Sequence, residues 1–157
     1  MHTALIAAFA LTFIGAPAMA QADQETQNRQ IIQTAFDAWS AGTGGPFDLL
    51  ADDARWTITG RSEAAGTYGS KAEFIERVIA PFNARLVAGI RPTIRRLYAD
   101  GDTVIVFFDA TGQATDGVRY DNTYAWFMRL EDGRVVEVSA FYDSLAFNDL
   151  WQRVTQR

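Results

Sequence analysis

The chain contains no cysteine, and its one histidine is His2, almost at the N-terminus. Each shortage closes a class of chemistry. Without thiols there is no disulfide framework, no thiolate metal ligand and no cysteine nucleophile. Without an imidazole in the body of the chain there is no Ser-His-Asp arrangement, no histidine general base and none of the usual zinc ligand sets. No carboxylate cluster has the spacing of a metal site and no glycine-rich phosphate loop follows a strand, so neither a metal nor a cofactor is expected. Positive charge is also scarce: 14 basic residues face 19 acidic ones, a net charge of −5 with no basic run. That balance argues against nucleic acid and anionic membranes as partners. Any acid–base work falls to carboxylates, tyrosine, lysine or bound water.

What is present begins with a short apolar run. Leu5 to Ile14 is nearly all apolar, and Ala18-Met19-Ala20 has the small-x-small form of a signal cleavage site. The run is too short to span a bilayer. The expectation is a signal peptide over residues 1–20 and a single domain over residues 21–157. Such a protein is periplasmic or secreted, with no membrane association once the signal is cleaved. The remainder is long enough for one core and, lacking disulfides, depends on packing.

Tyr120 to Asp143 organises that domain. Two alternating runs flank Glu131-Asp132-Gly133, and Asp-Gly between such runs predicts a hairpin. On the first strand Tyr120, Asn122, Tyr124, Trp126 and Met128 share a face, with Asp121, Thr123, Phe127 and Arg129 on the other. On the second, Val136, Val138, Ala140 and Tyr142 oppose Val135, Glu137, Ser139 and Phe141. One face thus carries large rings with polar tips and a single amide, which suits a cavity wall as well as a core.

The rest of the chain reads as helices followed by strands. Asp23 to about Ser40 places Ile31, Ile32, Ala35, Phe36 and Trp39 on one helical stripe, capped by Asp23 or Thr26 and ended by the glycines after Gly42. Phe47 to Leu50 reads as a helical turn, Asp52-Asp53 as a solvated turn, and Arg55 to Thr59 as a half-buried strand. A loop from Gly60 to Gly69 leads to Ser70-Lys71-Ala72-Glu73, a capping box. The helix it starts runs to about Leu86, kinked or ended by Pro81. Strands follow at about Thr93–Ala99, Thr103–Ala114, Val118–Leu130 and Val135–Tyr142. A terminal helix over Ala146–Thr155 is capped by Asp143 or Ser144. Helices first and antiparallel strands after predict an α+β domain with helices covering one face of a bent sheet.

This order resembles the nuclear-transport-factor-two-like superfamily, which includes ketosteroid isomerases, limonene epoxide hydrolases and SnoaL-type polyketide cyclases. Leu49-Leu50-Ala51-Asp52-Asp53-Ala54-Arg55-Trp56 is similar to the family's lead-in to its first strand, and Gly66 with Ser70 to Ile75 to its helix start. Gly101-Asp102 through Val106, and Asp132-Gly133-Arg134-Val135 with Tyr142-Asp143, resemble its third strand and final hairpin. The resemblance implies a cone-shaped curved antiparallel sheet with helices on its concave face, an apolar cavity, and homodimers formed through the sheet. The isomerase carboxylates do not carry over. Ile58 stands in place of the general base, and Tyr124, Ala125 or Trp126 in place of the acid at the oxyanion site. Val104 to Phe107 and Ala140 likewise replace the epoxide hydrolase set. What the resemblance leaves is the SnoaL-like group: a small, mostly apolar ligand in the cone, with or without cofactor-free acid–base chemistry.

Seven residues are candidates for that site. Asp109, among Phe107, Phe108 and Ala110, is either a carboxyl with a raised pKa that carries protons or a group paired with Arg95, Arg96 or Arg119. Asn122, Tyr124 and Trp126 either bind a ligand oxygen or complete the core. Trp56 and Tyr142 are wall or core, and Tyr68 either hangs over the mouth or packs on the surface. A non-catalytic binding protein, or a structural dimer whose cone is plugged by Trp56, Phe74, Tyr124 and Trp126, is the alternative to an enzyme.

Overall fold

The computed structural model of the protein describes residues 16–155. Most of the expected signal peptide lies outside the described residues. Helix α1 spans Ala16–Ala41, so it extends back through the expected cleavage site instead of starting at Asp23. Thr26 does not cap it: the hydroxyl donates back to the Ala22 carbonyl at 2.8 Å, within the helix. The apolar stripe is as the spacing predicts. Ile32, Ala35 and Phe36 are buried, Ile31 and Trp39 pack against them, and the helix lies across β3 (Leu86–Asp100) and β4 (Thr103–Ala114).

A 3-10 turn, Pro46–Leu49, leads into β1 (Leu50–Ile58), which begins earlier than the alternation suggests and carries exposed Asp52 and Asp53 as strand residues. The expected loop after it contains a short strand, β2 (Gly66–Tyr68), paired antiparallel with β1. Ser70 caps the next helix, its Oγ accepting from the Glu73 amide at 3.1 Å. The Glu73 carboxylate accepts from the Gly69 amide, one residue earlier than in a reciprocal capping box. The helical run is α2 (Lys71–Phe74), a π-helical segment (Ile75–Ile79) and α3 (Ala80–Asn83). Pro81 has no N–H to give to the preceding turn, and the ladder is widened just before it.

Two further strands, β5 (Arg119–Glu131) and β6 (Arg134–Tyr142), and a terminal helix, α4 (Ser144–Arg153), complete the chain. Asp132 and Gly133 both have positive φ, 48° and 75°, as the tight hairpin requires. The sheet runs β2-β1-β6-β5-β4-β3. All neighbours are antiparallel except β1 and β6, which pair parallel. That pair joins segments far apart in sequence, so local patterning gave no sign of it.

Bulges bend the sheet. The β3–β4 register shifts between Leu86 and Ile90 and again between Ile94 and Arg96, and the β5–β6 register shifts between Arg129 and Leu130. The last shift corrects the expected facing of β6: Val135 and Val138 are both fully buried, with Val136 the extra, half-buried residue. At the β3 bend Gly112 has no room for a side chain, since a Cβ there would lie 2.9 Å from the Gly89 carbonyl. The result is an α+β cone with helices on its concave side.

Candidate functional site

The concave face of β5 is the aromatic face read from its alternation: Tyr120, Asn122, Tyr124, Trp126 and Met128 are all buried. Rings from α1, the 3-10 turn and α2 meet it. Trp39 stacks on Trp126 at 5.7 Å, Phe108 on Tyr124 at 4.9 Å, and Trp56 on Phe74 at 4.2 Å. Large flat rings meeting at these angles do not fill space completely. They enclose a cavity of about 500 Å³, of a size that takes small molecules. The rings expected as a plug are therefore its wall.

Of the seven candidates, four line this cavity: Trp56, Tyr124, Trp126 and Tyr142. The other three do not. Tyr68 donates its hydroxyl to the Ala64 carbonyl at 2.8 Å and backs Phe74 from behind, so it is not a gate. Asp109 lies on the opposite face of the sheet, on the rung shared with Thr93 and Thr123. Its carboxylate accepts from Thr123 Oγ1 and from Arg95 Nε, each at 2.6 Å. Those bonds, Thr123 first, hold its pKa below the usual carboxylate range instead of raising it. The paired alternative is the one realised, and the proton-carrier role is set aside.

Asn122 is buried but engaged entirely by the protein. Its Oδ1 accepts from the Thr123 amide at 2.7 Å and from the Asp143 amide at 3.0 Å. Its Nδ2 donates to Tyr120 Oη at 2.8 Å and to the Asp143 carbonyl at 3.0 Å. Two donors and two lone pairs are all that an amide has, so none remains for a ligand.

The same network orders the hydroxyls. Tyr120 Oη accepts from Asn122 and lies 2.8 Å from Tyr124 Oη. Either hydroxyl can donate in that bond, and it uses only one of the two protons. Of the two rings Tyr124 is the one on the cavity lining, so a bond donated by Tyr120 leaves the Tyr124 proton for the cavity. Burial keeps these phenols protonated: Tyr120 is pushed up to about 12, and burial raises Tyr124 well above the usual phenol value. Tyr142, also raised by burial, shares a 2.8 Å hydrogen bond with Ser62 Oγ. Trp56 adds an indole N–H that is buried with no acceptor in the protein.

Three polar residues on the lining, Asp48, Asn83 and Arg91, were not foreseen. Asp48 is on the 3-10 turn, where its carboxylate accepts from the Gly45 amide at 2.9 Å. Arg91 is on β3, in a stretch read as preceding the strand. Trp39 and Phe74 were legible as apolar helix positions, though not as cavity wall. Among the described residues no group of acidic residues or histidine is arranged to hold a metal.

A cone of this topology with a ring-lined hollow defines the nuclear-transport-factor-two-like class. The SnoaL-like domain family model matches residues 32–138, and the chain belongs to that family. Among solved structures it is similar to Bal32a from a soil-derived mobile gene cassette, with 19% identity and a TM-score of 0.67, covering 82% of this chain and 98% of that one. An NTF2-like protein from Burkholderia thailandensis E264 gives 24% identity and a TM-score of 0.63 over 76% of this chain and 92% of its own. TerC, crystallised with polyporic acid, gives 20% identity and a TM-score of 0.62, covering 80% and 98%. No curated protein sequence matches.

The saturation of Asn122 yields a prediction. Asn122→Ala leaves the Asp143 and Thr123 backbone groups without their partners, and should cost roughly 2–4 kcal/mol of stability. Urea denaturation measures it; a loss below about 0.5 kcal/mol would show that the network is not structural.

Proposed function

We propose that the protein binds a small, mostly apolar molecule in its cone and holds one oxygen of that molecule on the Tyr124 hydroxyl. The observation that carries the reading is the Tyr124 hydroxyl, on the wall of a cavity of about 500 Å³ and hydrogen-bonded to a Tyr120 hydroxyl that also accepts from Asn122. A carbonyl or hydroxyl oxygen is the partner such a donor needs. Binding, not turnover, is the favoured reading. The phenols stay protonated and so donate.

Acetylnaphthalene and ethylnaphthalene differ by that acceptor alone, and quenching of the wall tryptophans reports both. Wild type should prefer the ketone by about three- to tenfold, and Tyr124→Phe should abolish the preference. The ratio within one variant is insensitive to any general loss of stability. No preference in wild type, or one that survives the substitution, rules Tyr124 out.

We also propose that a second copy covers the convex face of the sheet. Phe127 and Phe141, exposed at 39% and 44%, lie there edge to face at 6.0 Å beside half-buried Ile105 and Phe107. Sedimentation should find a dimer at micromolar concentration and Phe141→Asp should shift it toward monomer with ligand binding intact. A wild-type monomer throughout the range would end this idea. Export rests on Leu5 to Ile14 and the Ala18-Met19-Ala20 site. In a bacterial host the protein should be recovered from the periplasm or medium with Gln21 as its first residue. Recovery from the cytoplasm with Met1 intact would contradict it.

A further inference from the structure

We propose that Arg91 makes the cone a site for an anion: a ring-bearing carboxylate whose acidic group sits at the mouth on the guanidinium while its apolar body lies within. The inference rests on the binding reading above and adds the chemical class of the ligand.

Arg91 is the one cationic residue among the described residues lining the cavity. It stands on β3 directly after the Leu86–Ile90 bulge. The guanidinium lies against Gly42, where an added Cβ would be 3.0 Å from Nη2. Gly42 has a φ of 75° and ends α1: its amide donates to the Trp39 carbonyl at 3.1 Å, and the Thr43 amide to the Ala38 carbonyl at 2.9 Å. This paired closure needs a left-handed residue, and only glycine takes it without cost. The turn that ends α1 therefore also leaves the space in which the guanidinium rests.

Two plainer roles for Arg91 are available. A cation near the C-terminus of α1 is favourable for the helix dipole. Yet among the described residues Arg91 makes no hydrogen bond to the terminal carbonyls, and two of these are already taken by the closing turn. It could alternatively neutralise Asp48 on the same rim. No ion pair joins them; the arginines that form ion pairs are Arg77, Arg95, Arg119, Arg129 and Arg153. What is left is an always-charged fork of N–H donors at the edge of an apolar hollow, in a chain whose net charge is −5. A carboxylate matches that fork in shape and sign. With Tyr124 donating at the wall, the ligand the cavity fits has an oxygen acceptor at one end and a carboxylate at the other.

Acetylnaphthoate and its neutral carboxamide, acetylnaphthamide, present the same skeleton with and without the charge. Titrated into wild type, Arg91→Met and Arg91→Lys with tryptophan quenching as the readout, wild type should bind the carboxylate about tenfold tighter than the carboxamide. Added salt should narrow that gap. Arg91→Met should remove it while leaving carboxamide affinity within about twofold, and Arg91→Lys should keep part of it, as a point charge without the fork. Equal wild-type affinities, or a preference that persists in Arg91→Met, would overturn the anion assignment and leave the cavity reading standing. Equal loss of both ligands in Arg91→Met would overturn it too, by showing that Arg91 supports the mouth through α1. Failure of wild type to bind acetylnaphthalene and both of these probes would sink the cavity reading, and this inference with it.

Discussion

The side-chain amide of Asn122 is the contact on which the geometry of the cone depends. It joins the start of β5 to Asp143, where β6 ends and α4 begins, by one bond to the Asp143 amide and one to its carbonyl. Asp143 in turn caps α4, accepting from the Leu145 and Ala146 amides. The capped helix carries Phe147 to the cavity, stacked on Tyr142 at 4.9 Å. The same amide donates to the Tyr120 hydroxyl, which is hydrogen-bonded in turn to that of Tyr124. One side chain that never touches the hollow thus links a helix at its edge to the phenol in its wall.

Packing, not charge, holds the wall. Removing a fully buried aromatic ring costs about 3–5 kcal/mol, whereas an exposed ion pair contributes about 0–1 kcal/mol. Trp56, Phe74 and Phe108 are almost wholly inaccessible, while Arg95 with Asp109 and Arg119 with Asp121 are well exposed on the outer face. The outer pairs therefore do little for stability. The Thr123 hydroxyl, with Arg95 second, holds the pKa of Asp109 down, which explains why a carboxyl flanked by phenylalanines in sequence stays ionised. Its neighbours on the same face are Thr123 and Arg95 across the sheet; Phe108, next in sequence, points the other way.

The same distinction marks how much was legible in the sequence. Period-two alternation assigns a residue to a face, and for β5 it did so correctly from Tyr120 to Arg129. The Asp-Gly turn and the Ser70 cap were readable because their chemistry is local. Partners across the sheet are not local. Hence the sequence left Asn122 as ligand contact or core, although Asp143 and Tyr120 satisfy it, and Tyr68 as gate or surface ring, although it is buried and held by Ala64. Bulges defeat alternation altogether. The extra residue at Val136 exchanged the expected facing of Val135, and the irregular start of β3 hid Arg91 between Gly89 and Pro92, where no strand pattern shows.

Those irregular places are also where the site acquires its polarity. A regular sheet covered by helices would give the cavity rings and little else, since inward positions are apolar by selection for packing. The polar elements on the lining instead sit at interruptions: Arg91 after the β3 bulge, Asp48 in the 3-10 turn that follows α1, Asn83 at the end of α3, Tyr142 at the end of β6. Tyr124 is the exception that proves costly to maintain, because a phenol in mid-strand must be supplied with partners by Tyr120 and Asn122. The curvature that hollows the cone and the chemistry at its rim therefore have one origin. Changing the ligand of such a fold requires altering bends and turns, while the ring-lined wall can remain as it is.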